Sequence, residues 1–244
     1  MTELVLYDHR SSICSQMARL ALVEKALEFR RRSIDIMETN EQFEAWYVAL
    51  NPRAVVPTLG IDGEIVTDTL HIVNRVNALP GPDLSGNGTT QTWLGDIMAL
   101  HYGVLMYRKR LEADGTARQI VARGLLLQAL REERPDIADL VDKRLDGNRR
   151  FQALLRNPEA IETHVEATRL LIARMTATLA NQPFLAGDRY SLADCFATAA
   201  LARFTIHGFA PGWDTALRDY YTRMRSRPSF ATADVVDLGD ERDL

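Results

Sequence analysis

The spacing of apolar residues predicts a mixed α/β segment at the start of the chain. Apolar runs of strand length alternate there with apolar residues at helical spacing. The predicted order is strand, helix, strand, helix, strand, strand and helix, over residues 3–7, 15–26, 28–36, 41–50, 55–61, 64–67 and 69–78. Because a helix connects the first two strands, they are predicted to run parallel, so the order is a βαβ unit, a helix and a ββα unit.

The hairpin formed by the third and fourth strands carries two informative signals. Asp62-Gly63 is a two-residue hairpin sequence. Pro57 has no backbone N–H, so in a strand it belongs at an edge, an end or a bulge. We expect a cis proline at the start of this strand, which leaves the N–H and C=O of Val56 free to pair with the backbone of a small peptide.

The remainder of the chain has helical spacing. A segment rich in Pro, Gly, Ser and Asn separates it from the mixed part. We therefore expect a first domain over residues 1–80, a linker over 81–90 and an all-helical domain over 91–244. Breaks, one of them at Gly147, divide that domain into roughly six or more helices. The acidic segment 234–244 is expected to be frayed or weakly docked.

Composition and charge exclude several classes of protein. Hydrophobic residues make up 46% of the chain, charged residues 25%, and the net charge is −4 without a basic stripe, which argues against nucleic-acid binding. No apolar stretch approaches the roughly 20 residues of a membrane span, and the N-terminus lacks a secretory signal. The two cysteines, Cys14 and Cys195, are too few for a disulfide scaffold, and the histidines show no metal-ligand spacing. We expect a cytoplasmic chain with reduced thiols and no metal, membrane or nucleic-acid partner.

Cys14 is the strongest candidate for chemistry. It follows the first strand and a polar loop, at the start of the first helix. Helix N-termini favour a thiolate and so a nucleophile, whereas the alternative is a small buried hydrophobic residue. The chain has no Cys-x-x-Cys pair, so an oxidised Cys14 needs an external thiol. In the same loop, Ser12 either stabilises a bound thiolate by hydrogen bonding or caps the helix, and Ser11 is expected to cap it.

Asp68 and Thr69 open the third predicted helix. The N–H and hydroxyl of Thr69, with the helix dipole, suit a ligand carboxylate, and Asp68 suits an ammonium group. Each residue also has a plain capping explanation. Together with Cys14 and Val56 they converge on one end of the small sheet, which favours a binding site.

Ser191 and Asp194 form a capping-box sequence, with Asp in place of the usual Glu or Gln. We interpret this motif as structural, because it starts a predicted buried helix over residues 195–204. Cys195 is then an inert thiol of the core.

Four segments of the chain resemble the soluble glutathione transferases. They are SSICSQMARLAL, NPRAVVPTL, VTDTLHIV and PFLAGDRYSLADCFATAALAR, at residues 11–22, 51–59, 66–73 and 183–203. They occur in the family's order, and the resemblance extends over nearly the whole chain. It implies a thioredoxin-like α/β N-terminal domain followed by an all-α C-terminal domain.

The pattern Ser12, Cys14 and Arg19 is similar to the zeta-type branch of that family. This branch contains maleylacetoacetate isomerases and glutathione-dependent reductive dehalogenases of chlorinated hydroquinones. The motif resembles the dehalogenases more, because the isomerase motif has a second serine where this chain has Ile13. The resemblance implies that Ser12 supports the glutathione thiolate and that Cys14 attacks a glutathionyl adduct. Tyr7, inside the predicted strand, is not the natural match for the tyrosine of many animal transferases.

The same resemblance implies where glutathione, as co-substrate, would bind. Its backbone and γ-glutamyl end would be held by Val56, Pro57, Asp68 and Thr69. Its glycyl carboxylate would be bound by Arg53.

The implied function is a glutathione-dependent transferase acting on aromatic or quinone-like electrophiles, in aromatic catabolism or detoxification, and the implied assembly is a homodimer. The helical domain would supply the dimer contacts and the electrophile pocket, with His101, Tyr102 and Tyr107 as lining residues. A cis-trans isomerase of the maleylacetoacetate type and a non-catalytic glutathione-binding module are the alternatives. The retained thiol and the Asp68-Thr69 pair favour an enzyme.

Overall fold

A four-stranded mixed sheet opens the chain in the computed structural model, which describes residues 2–114 and 118–237. The strands are β1 (Leu4–Asp8), β2 (Arg30–Ser33), β3 (Thr58–Ile61) and β4 (Glu64–Thr67). Their order in the sheet is β2-β1-β3-β4; β1 and β2 are parallel, whereas β3 is antiparallel to both β1 and β4. The predicted βαβ and ββα units are therefore confirmed.

Helices connect the strands and make up most of the remaining described chain. They are α1 (Ile13–Glu24), α2 (Ala45–Leu50), α3 (Thr69–Asn77), α4 (Thr90–Met98), α5 (Tyr102–Asp114), α6 (Arg118–Glu133), α7 (Ala138–Leu155), α8 (Pro158–Leu179), α9 (Leu192–Ile206), α10 (Thr215–Arg225) and α11 (Pro228–Thr232). Short 3₁₀ turns lie at Glu41–Phe43, Pro135–Ile137 and Ala210–Gly212. Among the described helices, none is long and apolar enough to cross a membrane.

The strand register brings three segments together at one end of the sheet. Tyr7, near the end of β1, pairs with Thr58 at the start of β3, and Thr58 pairs with Thr67 at the end of β4. The loop after β1, the segment before β3 and the residues after β4 therefore lie side by side. These segments carry the predicted site residues Ser12, Cys14, Val56, Pro57, Asp68 and Thr69.

The first of two compact units contains residues 2–99 and 171–237. Its core is built from apolar strand residues such as Leu6 and Leu59, which are fully buried, from the middle of α1, which is buried on all sides, and from one face of α3. Helix α9 packs against α1, and all of its residues except Thr205 are buried. The edge strand β2 is exposed and rich in arginine, a composition that discourages pairing with another strand.

The second compact unit contains residues 100–170. Helices α6 and α7 pack along each other there, burying Ile120 and Leu127 of α6 and Val141 and Leu145 of α7. The sequence-based division into domains over 1–80 and 91–244 stays a prediction.

Two predicted element boundaries are wrong: the start of the third strand and the helix break at Gly147. β3 begins at Thr58, so Pro57 precedes the strand instead of lying inside it, as its missing N–H favours. Helix α7 continues unbroken through Gly147. An interior glycine costs only about 1 kcal/mol relative to alanine, and the packing of α7 on α6 outweighs that cost.

The start of the C-terminal segment, which was expected to be frayed or weakly docked, is docked through buried residues. Val235, Val236 and Asp237 are all buried. The Val236 N–H donates to the side-chain carbonyl of Gln16 on α1, at 3.1 Å. Residues 238–244 of the predicted frayed segment lie outside the described residues.

Candidate active site

Ser12 caps the first helix. Its extended backbone places Oγ to accept a hydrogen bond from the Ser15 N–H, at 3.3 Å. This bond uses a lone pair of the hydroxyl oxygen and leaves the hydroxyl proton available for donation. The two interpretations of Ser12, as a helix cap and as a donor to a bound thiolate, are therefore compatible.

Cys14 is the second residue of α1, and its thiol lies beside the start of α3. The Thr69 side chain is close enough to hydrogen-bond the thiol, and Asp68 is close enough to act on it electrostatically. Burial raises the pKa of the Cys14 thiol; the Thr69 hydrogen bond opposes this and the Asp68 charge reinforces it. The direction of this shift is opposite to the expected stabilisation of the thiolate, because loss of hydration disfavours the charged form of the thiol.

Asp68 adopts an unusual backbone conformation at the start of α3. Its φ of 76° is in a region that few non-glycine residues occupy, and its carboxylate accepts the Leu70 N–H at 3.0 Å. Its other oxygen lies 3.4 Å from the Arg53 guanidinium, whose side chain is 63% exposed. Such an exposed ion pair contributes little to stability, so Arg53 can exchange its partner for a ligand carboxylate at small cost.

The peptide bond between Val56 and Pro57 is cis, as predicted. Within the described part of the chain, the N–H and C=O of Val56 form no hydrogen bond. Val56 is only half-buried, so it is partly open to a ligand. This backbone can pair with an extended peptide in the manner of an added strand.

Two residues that the sequence analysis did not select hold this segment in place. The Val55 carbonyl accepts hydrogen bonds from the Tyr47 hydroxyl at 2.7 Å and from the Asn51 amide at 2.9 Å. Both side chains also bond the Thr58 hydroxyl, at 3.1 and 2.8 Å. Burial raises the pKa of Tyr47 to about 12, so it stays a neutral donor. Asn51 directly follows the predicted helix over residues 41–50, and no local signal in the sequence distinguishes its role at this segment.

Together these groups are complementary to a small peptide with charged ends. The first turn of α3 offers unpaired N–H groups and a partial positive charge to a carboxylate, and the Asp68 carboxylate can accept from an ammonium group. Val56 supplies a backbone donor and acceptor, and Cys14 a thiol on the facing helix. A peptide bound along this edge would bring its own side chain to Ser12 and Cys14.

The predicted pocket residues His101, Tyr102 and Tyr107 lie in the second compact unit. His101 caps α5 by accepting the Val104 N–H, and its ring stacks on Phe151 at 5.0 Å. Tyr107 meets the same Phe151 ring edge-on at 5.7 Å. His101 and Tyr107 thus share one aromatic cluster, to which Phe151, missed by the sequence analysis, is central.

The remaining motifs have structural roles. Ser11 does not cap α1; its hydroxyl lies 3.0 Å from Nδ1 of His9. The capping box of α9 is confirmed, and Cys195 is fully buried, so that its pKa is raised by loss of hydration. Among the described residues, no group of histidine, cysteine or carboxylate side chains could hold a metal ion.

Comparison with known proteins gives matches along most of the chain. The family model for the glutathione S-transferase N-terminal domain matches residues 11–79, and the model for the C-terminal domain of the same family matches residues 122–228. The chain is 30% identical to the tetrachloro-p-hydroquinone reductive dehalogenase of Sphingobium chlorophenolicum, over 97% of each protein.

Solved structures resemble the fold over nearly its full length. A β-etherase from Sphingobium sp. strain SYK-6 superposes with a TM-score of 0.70 at 21% identity, covering 94% of this chain and 98% of that one. A theta-class glutathione S-transferase from Xanthomonas axonopodis pv. citri, with glutathione bound, gives a TM-score of 0.65 at 20% identity, covering 98% and 100%. At these identities the similarity concerns the fold alone.

Proposed function

Because the chain belongs to the glutathione S-transferase family and is a glutathione-dependent transferase, we propose that it reductively dehalogenates a halogenated hydroquinone through Ser12 and Cys14. The substrate class comes from the relative that is similar over its whole length, which is such a dehalogenase by name. The roles of the two residues are those that the family resemblance implies, and the position of both at the start of α1 is compatible with them.

The observation that carries the proposal is the position of the Cys14 thiol at the start of α3. Thr69 and Asp68, the residues that we assign to the γ-glutamyl end of glutathione, both lie close enough to this thiol to act on its pKa. A peptide held there and along Val56 and Pro57 would carry its own sulfur toward Cys14. The exposed Arg53 would bind the glycyl carboxylate.

In the first step, Ser12 supports the thiolate of the bound glutathione by donating a hydrogen bond from its hydroxyl group. That sulfur forms a bond to the halogen-bearing ring carbon of the substrate in its quinone-like tautomer. The carbon–halogen bond breaks, and the halide leaves with the electron pair. A glutathionyl conjugate of the ring remains, and this step requires Ser12 alone.

In the second step, the Cys14 thiolate attacks the glutathionyl sulfur of the conjugate. A sulfur–sulfur bond forms, the carbon–sulfur bond breaks, and the ring carbon takes that electron pair together with a proton. A second glutathione thiolate then attacks the mixed disulfide on Cys14, releasing oxidised glutathione and restoring the thiol. Overall, two thiols are oxidised to a disulfide while the ring exchanges halogen for hydrogen and is reduced by two electrons.

The same proposal covers the electrophile pocket, the cellular compartment and the oligomeric state of the enzyme. His101, Tyr102 and Tyr107 would contact the aromatic ring of the electrophile; His101 and Tyr107 both pack against the Phe151 ring. We assign the chain to the cytoplasm, consistent with two free cysteines, and to a homodimer. The mechanism requires glutathione and no metal ion.

The test is the identity of the products formed from a halogenated hydroquinone and glutathione, measured by mass spectrometry for the wild type and three variants. The Cys14→Ser variant should accumulate the glutathionyl conjugate, because a hydroxyl cannot take up sulfur by thiol–disulfide exchange. The Ser12→Ala variant should slow the first step by about tenfold to a hundredfold, through loss of a charged hydrogen bond. The matched control Cys195→Ser, at a fully buried thiol, should give wild-type products.

Other outcomes would contradict the proposal in distinct ways. Wild-type products at the wild-type rate from Cys14→Ser would show that Cys14 is no redox nucleophile, and the enzyme would then be a conjugating transferase or an isomerase. Glutathione binding without turnover of any electrophile would favour the non-catalytic module.

A further inference from the structure

Three consecutive peptide carbonyls immediately before Ser12 are bound by arginine side chains. Nη1 of Arg19 lies 3.4 Å from the carbonyl oxygen of His9, and its Nη2 lies 3.1 Å from that of Arg10. Nη2 of Arg203 lies 2.7 Å from the carbonyl oxygen of Ser11. The backbone that leads into Ser12 is therefore fixed by side chains from α1 and α9.

Arg19 is a fully buried charge that joins this loop to the C-terminal segment. It pairs with the buried Asp8 carboxylate at the end of β1. Its remaining donors bind the carbonyl of Ala233, at 2.5 Å, and the carbonyl of Asp234, at 2.9 Å. Burial lowers the pKa of Arg19, and the charge of Asp8 opposes that effect. The planar guanidinium group of Arg19 thus holds β1, the loop that follows it and the C-terminal segment together.

Arg203 reaches the loop from α9, a helix whose residues are buried almost without exception. The arginine itself is only 6% exposed. A cationic donor held in a rigid helix defines the position of the carbonyl that it binds more narrowly than water would. Because Ser11 directly precedes Ser12, rotation of that peptide would displace the Ser12 hydroxyl and the start of α1.

We propose that Arg19 and Arg203 are positioning residues that hold the His9–Ser11 backbone so that Ser12 and Cys14 face the sulfur of the substrate. The inference rests on the proposed function of this site. Neither arginine touches the reacting atoms; each acts through the loop. A misplacement of about 1 Å in a reacting group costs on the order of a hundredfold in rate, so a small loss of order in this backbone has a large effect on turnover.

The test compares Arg203→Met, which removes the donor, with Arg203→Lys, which keeps the charge and one donor group. Arg218→Met is the control, since the exposed Arg218 likewise binds backbone carbonyls, those of Trp213 and Pro211, but at the start of α10. Each variant is measured for kcat, for calorimetric glutathione Kd, for Tm and for the pH dependence of Cys14 alkylation by iodoacetamide. Cys195 is fully buried, so alkylation of the folded protein reports on Cys14.

We expect Arg203→Met to lower kcat by about tenfold to a hundredfold, to leave the glutathione Kd within about threefold and to shift the pH profile of alkylation. Arg203→Lys should recover part of each loss, and Arg218→Met should match the wild type in kcat and alkylation. If Arg203→Met does not fold, Arg203→Lys becomes the test, with an intermediate loss of kcat expected.

A purely structural role would lower Tm while leaving kcat and the alkylation profile as in the wild type, and that result would overturn the proposal. The alkylation profile needs neither glutathione nor an electrophile. It therefore tests the positioning role even if the wild type shows no glutathione-dependent turnover, which would count against the proposed function alone.

Discussion

At the scale of single residues, two neighbours act on Cys14 in opposite directions. The Thr69 hydrogen bond lowers the pKa of the thiol, and the Asp68 charge raises it beyond the increase due to burial. The thiol is therefore protonated in the free protein near neutral pH. Because the thiolate is the nucleophile, every step through Cys14 should accelerate as the pH rises toward the pKa of the thiol.

Replacing Asp68 with asparagine should separate the two roles of that residue. The Asp68→Asn variant loses the charge that raises the pKa of Cys14, so alkylation of Cys14 at neutral pH should become faster. The same variant loses the proposed partner of the glutathione ammonium group. That loss is worth about 1.5–3 kcal/mol, so the Kd measured by calorimetry should rise about tenfold to a hundredfold.

Asn has the same shape and size as Asp, so it adds no new steric demand at this position and can still cap α3, and the fold should be retained. The matched control is Asp62→Asn, at a second aspartate with positive φ, in the turn between β3 and β4. It should change neither alkylation nor glutathione binding. Unchanged alkylation in Asp68→Asn would show that the charge does not act on Cys14.

The candidate site could be predicted at this scale only in part. Cys14, Asp68 and Thr69 were selected because polar residues at helix starts have a local signature. The protonation of Cys14 was not predictable, because burial depends on how α3 packs against α1, which no spacing in the sequence encodes. Tyr47 and Asn51 were missed for the same reason, since their shared acceptor is a backbone carbonyl.

At the scale of elements, the start of α9 depends on one buried carboxylate. Asp194 accepts hydrogen bonds from the Ser191 N–H and hydroxyl, from the Leu185 N–H and from the Tyr220 hydroxyl, at 2.7–3.0 Å. Although burial raises the pKa of Asp194, these donors oppose the increase. The helix that they begin carries Arg203 toward the proposed active site.

Truncating this residue should therefore destabilise the whole protein. Asp194→Ala leaves four donors without their acceptor, and we expect a loss of about 3 kcal/mol or more in the free energy of unfolding. Asp214→Ala is the comparison, because Asp214 caps α10 through the Leu217 N–H and should cost only about 1 kcal/mol. Urea denaturation measures both, and equal losses would show that the buried network adds nothing to an ordinary cap.

Elements with local signals were predicted well, and those that depend on packing were not. The Asp62-Gly63 turn between two apolar runs of strand length located the hairpin within a few residues. The predicted break at Gly147 failed because packing of α7 on α6 compensates a weak local preference. The capping-box sequence located the start of α9. The helix begins at Leu192, before the predicted start at residue 195.

At the scale of the whole molecule, the C-terminal segment returns to the first strand and helix. Arg19 binds two of its carbonyls, and the Asp234 carboxylate lies 3.1 Å from Arg10 and 3.4 Å from Arg31. These contacts join residues more than two hundred positions apart in sequence. The composition of the segment predicted a frayed or weakly docked tail. Nothing local in the sequence reveals that its backbone carbonyls accept hydrogen bonds from a buried arginine.

The proposed homodimer can be checked by light scattering at micromolar concentration. We expect a mass twice that of one chain, with and without glutathione. A mass equal to one chain under both conditions would contradict this part of the proposal. It would leave the site in the first compact unit unaffected, since all of its proposed glutathione-binding residues lie in that unit.

The central claim is that Cys14 accepts the glutathionyl group from the substrate, and peptide mass spectrometry after a single turnover tests it most directly. The enzyme is mixed with the purified glutathionyl conjugate of a halogenated hydroquinone, without free glutathione, and quenched with acid. We predict one glutathionyl group on the peptide containing Cys14, none on the peptide containing Cys195, and release of one reduced ring for each modified chain. A released ring without modification of Cys14, or no released ring at all, would contradict the account.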